Sequence, residues 1–195
     1  MPKVMPEYKE EVRNKIILAA LEIGDESGFL NIRMEDIAAR IGISRATLYL
    51  YFKNREELIA QADVGFHEIV SEITKEALEK GNLEDIFSAL FDSLVYPENG
   101  LGTKIAIEMF GRAVRDDETK IIMEKNYFWV REMIVRVIEK QKDNGLIPLS
   151  IDSVSAAGTI QSIGLGIKIG SSVGLDRDEA REIWKSAIKS VLIQG

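Results

Sequence analysis

Apolar residues recur every three to four positions along this chain, the spacing of helices that each bury one stripe. Val12, Ile16, Ala19, Ala20 and Ile23 make such a stripe over Glu7–Ser27, and Gly28 stops it. Phe29 and Ile32 follow as plugs for a core. Within Met34–Tyr51 the apolar positions Ile37, Ile41, Ile43, Leu48 and Tyr51 suit two short helices that cross steeply and face a third. Ala38 falls at their closest approach, Gly42 in a turn that needs a left-handed residue, and Ser44 at the N-cap of the second helix. Asn54 paired with Glu57 starts a long helix from Arg55 to Lys80, ended by Gly81. Asn82 with Asp85 starts the next, which carries Leu83, Ile86, Phe87, Leu90, Phe91 and Leu94 to Val95. Pro97–Gly102 reads as a loop, Lys104–Val114 as a short helix, and Asp116–Glu118 as the start of a long helix to Asp143. Ser150–Val173 and Asp176–Ile193 complete nine helices. Pro2, Pro6, Pro97 and Pro148 all fall in the tail or between helical patterns, as an all-α fold requires. The expected organisation is a three-helix helix-turn-helix unit over residues 1–54 and a six-helix unit over residues 55–195. The alternative for Met34–Tyr51 is an ordinary helical hairpin inside a bundle.

Charge narrows the partners. The net charge of −7 by itself argues against a general nucleic-acid binder. Residues 1–55 nevertheless hold nine Lys/Arg against eight Asp/Glu, while the remainder holds 16 against 24. A DNA surface must therefore come from local arrangement within the first 55 residues, and its binding must be salt-sensitive. Without cysteine there is no disulfide or thiolate chemistry, which suits a reducing cytoplasm. With His67 as the one histidine, a multi-histidine metal site is excluded and a Ser-His-Asp triad is unsupported. His67 is expected at a surface or interface. No signal peptide is visible, and the longest apolar stretch, Val154–Leu175, holds Gln161, Lys168 and five glycines, so no membrane association is expected. No metal or cofactor is expected.

Candidate chemistry gathers in the hairpin. Arg45 is a fork donor suited to guanine O6 and N7, and Ala46 and Thr47 suit base edges or a thymine methyl. Arg33, Tyr49, Lys53 and Arg55 suit phosphates, with Arg55 helped by the helix N-terminus it opens. Ser44 completes the set as the cap. The competing reading is that these are solvated polar residues.

Gly28-Phe29, Asp36-Ile37-Ala38, Gly42-Ile43-Ser44, Thr47-Leu48-Tyr49, Tyr51-Phe52 and Arg55-Glu56-Glu57-Leu58 together resemble the DNA-binding domain of tetracycline-repressor (TetR)-type regulators. The resemblance covers residues 9–60. It departs at Arg33, where the family usually has a hydroxyl cap, and at Arg55, where it usually has lysine. The resemblance implies double-stranded operator DNA as partner, a homodimer built from the last two helices, and a sensor domain.

Beyond residue 60 the residues leave alternatives open. Phe87, Phe91, Met109, Phe110, Phe128 and Trp129, with Gln161 as a polar handle, either line a small-molecule pocket or fill the core. Glu108 and Asn126 are further polar handles, and Lys168 and Arg112 are cationic handles for a carboxylate or solvated helix residues. Gly158, Ser162, Gly166, Gly170 and Gly174 form a ridge of small residues for close helix approach. That ridge, with Trp184, serves either a dimer interface or packing within the chain. The expected function is a ligand-responsive transcriptional repressor released from its operator by a small hydrophobic effector. The alternatives are an effector-independent DNA-binding protein governed by a protein partner, and an all-α enzyme.

Overall fold

Side-chain caps set the helix starts. Ser44, Asn54, Asn82, Asp116, Asp152 and Asp176 each sit in extended backbone and accept a hydrogen bond from a backbone N–H two or three residues on. The computed structural model describes residues 6–28, 31–97 and 103–193, and contains nine α-helices and no strand among them. These are α1 (Pro6–Ser27), α2 (Met34–Ile41), α3 (Arg45–Tyr49), α4 (Arg55–Lys80), α5 (Leu83–Leu90), α6 (Thr103–Ala113), α7 (Asp117–Asp143), α8 (Ser153–Ser172) and α9 (Arg177–Leu192). Phe29 and most of the expected loop before α6 lie outside the described residues. None of the described helices is long and apolar enough to cross a membrane.

Two cores account for the packing. Ile16, Ala19, Ala20 and Ile23 of α1 meet Ile37, Ala38, Leu48 and Phe52 of the hairpin, so the N-terminal stripe has the predicted partners. Leu58 from α4 and Met109 from α6 enter the same cluster. Met109 therefore fills the core beneath the hairpin, which corrects its expected place in a pocket. The second core joins α5, α7, α8 and α9. At its centre the Trp184 indole N–H donates to the Phe87 carbonyl at 2.8 Å, and the Phe87 and Phe91 rings lie 6.5 and 6.3 Å from the indole.

The fifth helix does not continue regularly to Val95. It widens into a π-type turn over Phe91–Val95, which brings Phe91 and Val95 inward against α8. Gly164 makes room there: a Cβ on it would stand 3.2 Å from Val95 Cγ2 and 3.5 Å from the Trp184 ring. The sixth helix is tied to α1 as closely. A Cβ on Gly24 would come within 2.7 Å of Ile105 Cδ1, so α6 and α1 touch where Gly24 has no side chain.

Candidate nucleic-acid interface

The hairpin turn depends on one backbone conformation. Gly42 has φ 71° and ψ 30°, and its N–H reaches the Ala38 and Ala39 carbonyls. A Cβ there would meet nothing within 4 Å, so glycine is required by the left-handed geometry and not by space. Ser44 then receives the Thr47 N–H at 3.0 Å and shares a hydroxyl contact with Thr47 Oγ1 at 2.8 Å. Arg33 occupies the N-cap of α2 in extended backbone with no side-chain cap bond, as expected without a hydroxyl. After the hairpin, Asn54 accepts from Glu57 N–H at 2.8 Å while the Glu57 carboxylate accepts from Lys53 N–H at 2.7 Å. These reciprocal bonds fix the angle at which α4 leaves the hairpin. Phe52 is fully buried beneath, with the Arg13 guanidinium 4.7 Å from its ring centre.

The candidate DNA-contacting residues share this end of the molecule. Arg33, Ser44, Arg45, Ala46, Tyr49 and Lys53 are exposed, and Thr47 and Arg55 are half-buried. Tyr49 is 44 % exposed, so its phenol is available to a phosphate. Arg45 is held by Glu35 of α2 in an ion pair of 2.6 Å between exposed side chains. Sequence reasoning missed Glu35, because the pairing depends on the crossing of α2 and α3 and no short-range spacing reveals it.

The expected pocket residues do not converge. Phe91 is buried around Trp184, and Phe87 is buried on the α5 side of the same indole. Phe128 is 48 % exposed on α7. Trp129 stacks on His67 of α4 with ring centres 3.9 Å apart, so the lone histidine is an interhelical contact. Gln161 is buried and satisfied within the chain: its amide donates to the Tyr127 carbonyl at 2.7 Å and accepts from Arg131 at 3.3 Å. It ties α8 to α7 and is no free handle. Arg112 pairs with Asp116 at 3.3 Å. Of the expected residues, Phe110 does line a cavity of about 400 Å³ between α6 and α8, together with Ile107, Gly111, Leu165, Lys168 and Ile169. Desolvation lowers the Lys168 ammonium from its ordinary value to about 8, opposed in part by Asp25 of α1.

The lysine makes stability depend on pH. Between about 8 and 10.5 the unfolded chain binds the proton that the folded chain has released, so stability rises with pH across that window. At pH 7 both states are charged and the desolvation cost is present in full. Lys168→Met is therefore expected to be more stable than wild type at pH 7 by on the order of 2 kcal/mol, with the gap closing by pH 10. Urea midpoints of the two proteins measured across that range check it.

The small-residue ridge divides. Gly174 lies beyond α8 with φ 108° and reverses the chain, so it is not part of a helical ridge. A Cβ on Gly170 would stand 2.9 Å from Leu175, so this glycine serves packing within the chain, and Gly158 faces Arg131. Trp184 is 3 % exposed beneath Phe87 and Phe91 and offers nothing to a partner. Of the ridge positions on α8, Ser162 and Gly166 face open solvent, and a Cβ on Gly166 would touch nothing within 4 Å.

A short helix presented on a cap, with basic and hydroxyl side chains outward and an all-helical unit behind, defines a helix-turn-helix DNA-binding protein. Residues 16–62 match the family described as bacterial regulatory proteins, tetR family. The HTH-type transcriptional regulator YfiR of Bacillus subtilis (strain 168) is 28 % identical over 148 residues, covering 74 % of this chain and 72 % of YfiR. A TetR transcription regulator from Haloarcula marismortui superposes with a TM-score of 0.75 at 20 % identity, covering 93 % of this chain and 97 % of that one. A structure from Saccharomonospora viridis in complex with choline superposes with a TM-score of 0.72 at 16 % identity, covering 93 % of this chain and 96 % of that one. Residues 16–62 thus match the tetR-family DNA-binding domain, and the chain is similar over most of its length to DNA-binding transcriptional regulators.

Proposed function

We propose that the protein is a homodimeric, ligand-responsive repressor in the cytoplasm, without catalytic activity, released from its operator by a small effector. Residues 1–54 would form the DNA-reading unit and residues 55–195 the sensing and dimerising unit. The observation that carries this reading is the exposed face of α3 and its flanks, where Arg45 is free of the core and Arg33, Tyr49, Lys53 and Arg55 surround it. Exposed apolar side chains on and beside the last two helices, Ile169 on α8, Val173 at its C-cap and Ile183 on α9, support dimerisation there. The cavity between α6 and α8 supports effector binding, as does the choline-bound relative of the same fold.

Regulation then works as a population shift between two dimer geometries. One sets the two α3 helices into successive major grooves, about 34–36 Å apart, and the other mis-spaces them. An effector favouring the second by a few kcal/mol empties the operator. The fourth helix enters both cores, through Leu58 and Val70, and is the lever between them.

Operator selection from random DNA followed by quantitative binding tests the reading. A palindromic site is expected. Arg45→Ala should cost about 1–3 kcal/mol and relax preference at one base per half-site. Lys53→Ala should weaken all sequences alike and flatten the salt dependence by about one unit of slope. An Arg45→Ala protein with unchanged affinity and base preference would refute this assignment of base reading.

A further inference from the structure

The cavity between α6 and α8 is walled mostly by carbon, and the one charged side chain among its lining residues is Lys168. Among the described residues the Lys168 ammonium makes no ion pair and no side-chain hydrogen bond. The charge that acts on it is Asp25, across on α1. A desolvated cation beside empty apolar volume is incompletely compensated, and a ligand that brings one negative charge and an apolar body completes it. At about 400 Å³ the volume is at the small end of ligand sites.

We propose that this cavity binds a small amphiphile bearing one carboxylate, with the carboxylate on Lys168 and the apolar body against Ile107, Phe110 and Leu165. The proposal rests on the ligand-responsive reading above and names the class of effector. Sugars and nucleotides are disfavoured, because their many hydroxyls or phosphates find one donor and otherwise carbon. A cationic ligand such as choline is repelled by Lys168. The site also has a physical route to the DNA-reading unit. Asp25 belongs to α1, and its charge acts on the same ammonium that a bound carboxylate would meet. The sixth helix, which forms one wall, sends Met109 into the core beneath the hairpin and sets Ile105 against Gly24. Occupancy therefore presses α6 towards the hairpin core.

Calorimetric titration with octanoate, octanol and octyltrimethylammonium, which share one chain and differ in head, is the test. Octanoate should bind at least about ten-fold tighter than octanol, and the ammonium should not bind, a ten-fold difference being about 1.4 kcal/mol. Lys168→Met should weaken octanoate by about the same factor and leave octanol unchanged, and Lys168→Arg should restore octanoate. Gly111→Leu, which fills open space, should weaken both octanoate and octanol. Asp25→Asn should tighten octanoate by removing its competitor. A parallel titration with 2-naphthoate distinguishes an aromatic body from an aliphatic one, since both carry the same head. Equal binding of octanoate and octanol, or octanoate binding untouched by Lys168→Met, would overturn the proposal. Operator binding measured alongside separates the two levels. Octanoate held by Lys168 with operator affinity unchanged refutes effector control while the site stands. Operator release by other compounds, with no carboxylate bound at Lys168, refutes the site and leaves regulation intact.

Discussion

Trp184→Ala is expected to lower the stability of the protein by about 3–5 kcal/mol, the range for removing a large aromatic side chain from a packed core. The indole is 3 % exposed, lies between Phe87 and Phe91, and fills the space that Gly164 leaves open on α8. Its loss opens a cavity that α5, α8 and α9 cannot close without moving together. It also strips the Phe87 carbonyl of the N–H it receives at 2.8 Å. For a chain of this size the loss corresponds to a fall in melting temperature of roughly 10 °C. Trp184→Phe keeps most of the volume and removes the donor, so it should cost clearly less, with the difference reporting the packing share. Urea unfolding followed by helical signal gives both numbers. A loss below about 1 kcal/mol for the alanine variant would mean that the second core is not organised on this residue.

The second large effect concerns two glycines four residues apart on α8. Gly166→Leu should convert the proposed dimer to monomer on a sizing column with its helical signal unchanged, because among the described residues nothing lies within 4 Å of the new Cβ. Operator affinity should then fall by about 10²–10⁴, since the second half-site is no longer bound by a tethered unit. Gly170→Leu should behave differently. Its side chain meets Leu175 at 2.9 Å, so the cost appears as lost stability of the α8–α9 turn. A Gly166→Leu protein that stays dimeric and binds its operator normally would remove α8 from the proposed interface.

Lys168 and Arg45 illustrate how local and long-range information divide. Both are visible in the sequence as cations on helices, one named as a base reader and the other as a handle for a carboxylate. Their surroundings are not visible. Arg45 meets Glu35 only because α2 and α3 cross, and Lys168 loses its hydration only because α6 packs on α8.

The sequence by itself determined the helices and the DNA-reading unit, because both rest on short-range rules. Caps such as Ser44, Asn54 and Asn82 act within three residues, apolar stripes act within one turn, and the left-handed requirement at Gly42 belongs to a single residue. The tertiary structure alone decided what the second unit does with its aromatic and small residues. Phe91 and Met109 look alike as apolar helix positions with Phe110, yet two fill cores and one lines a cavity. Gly166 and Gly170 share one ridge in the sequence, yet one is open and the other abuts Leu175. Such outcomes depend on which helix arrives opposite each face, and that is fixed by contacts between residues far apart along the chain.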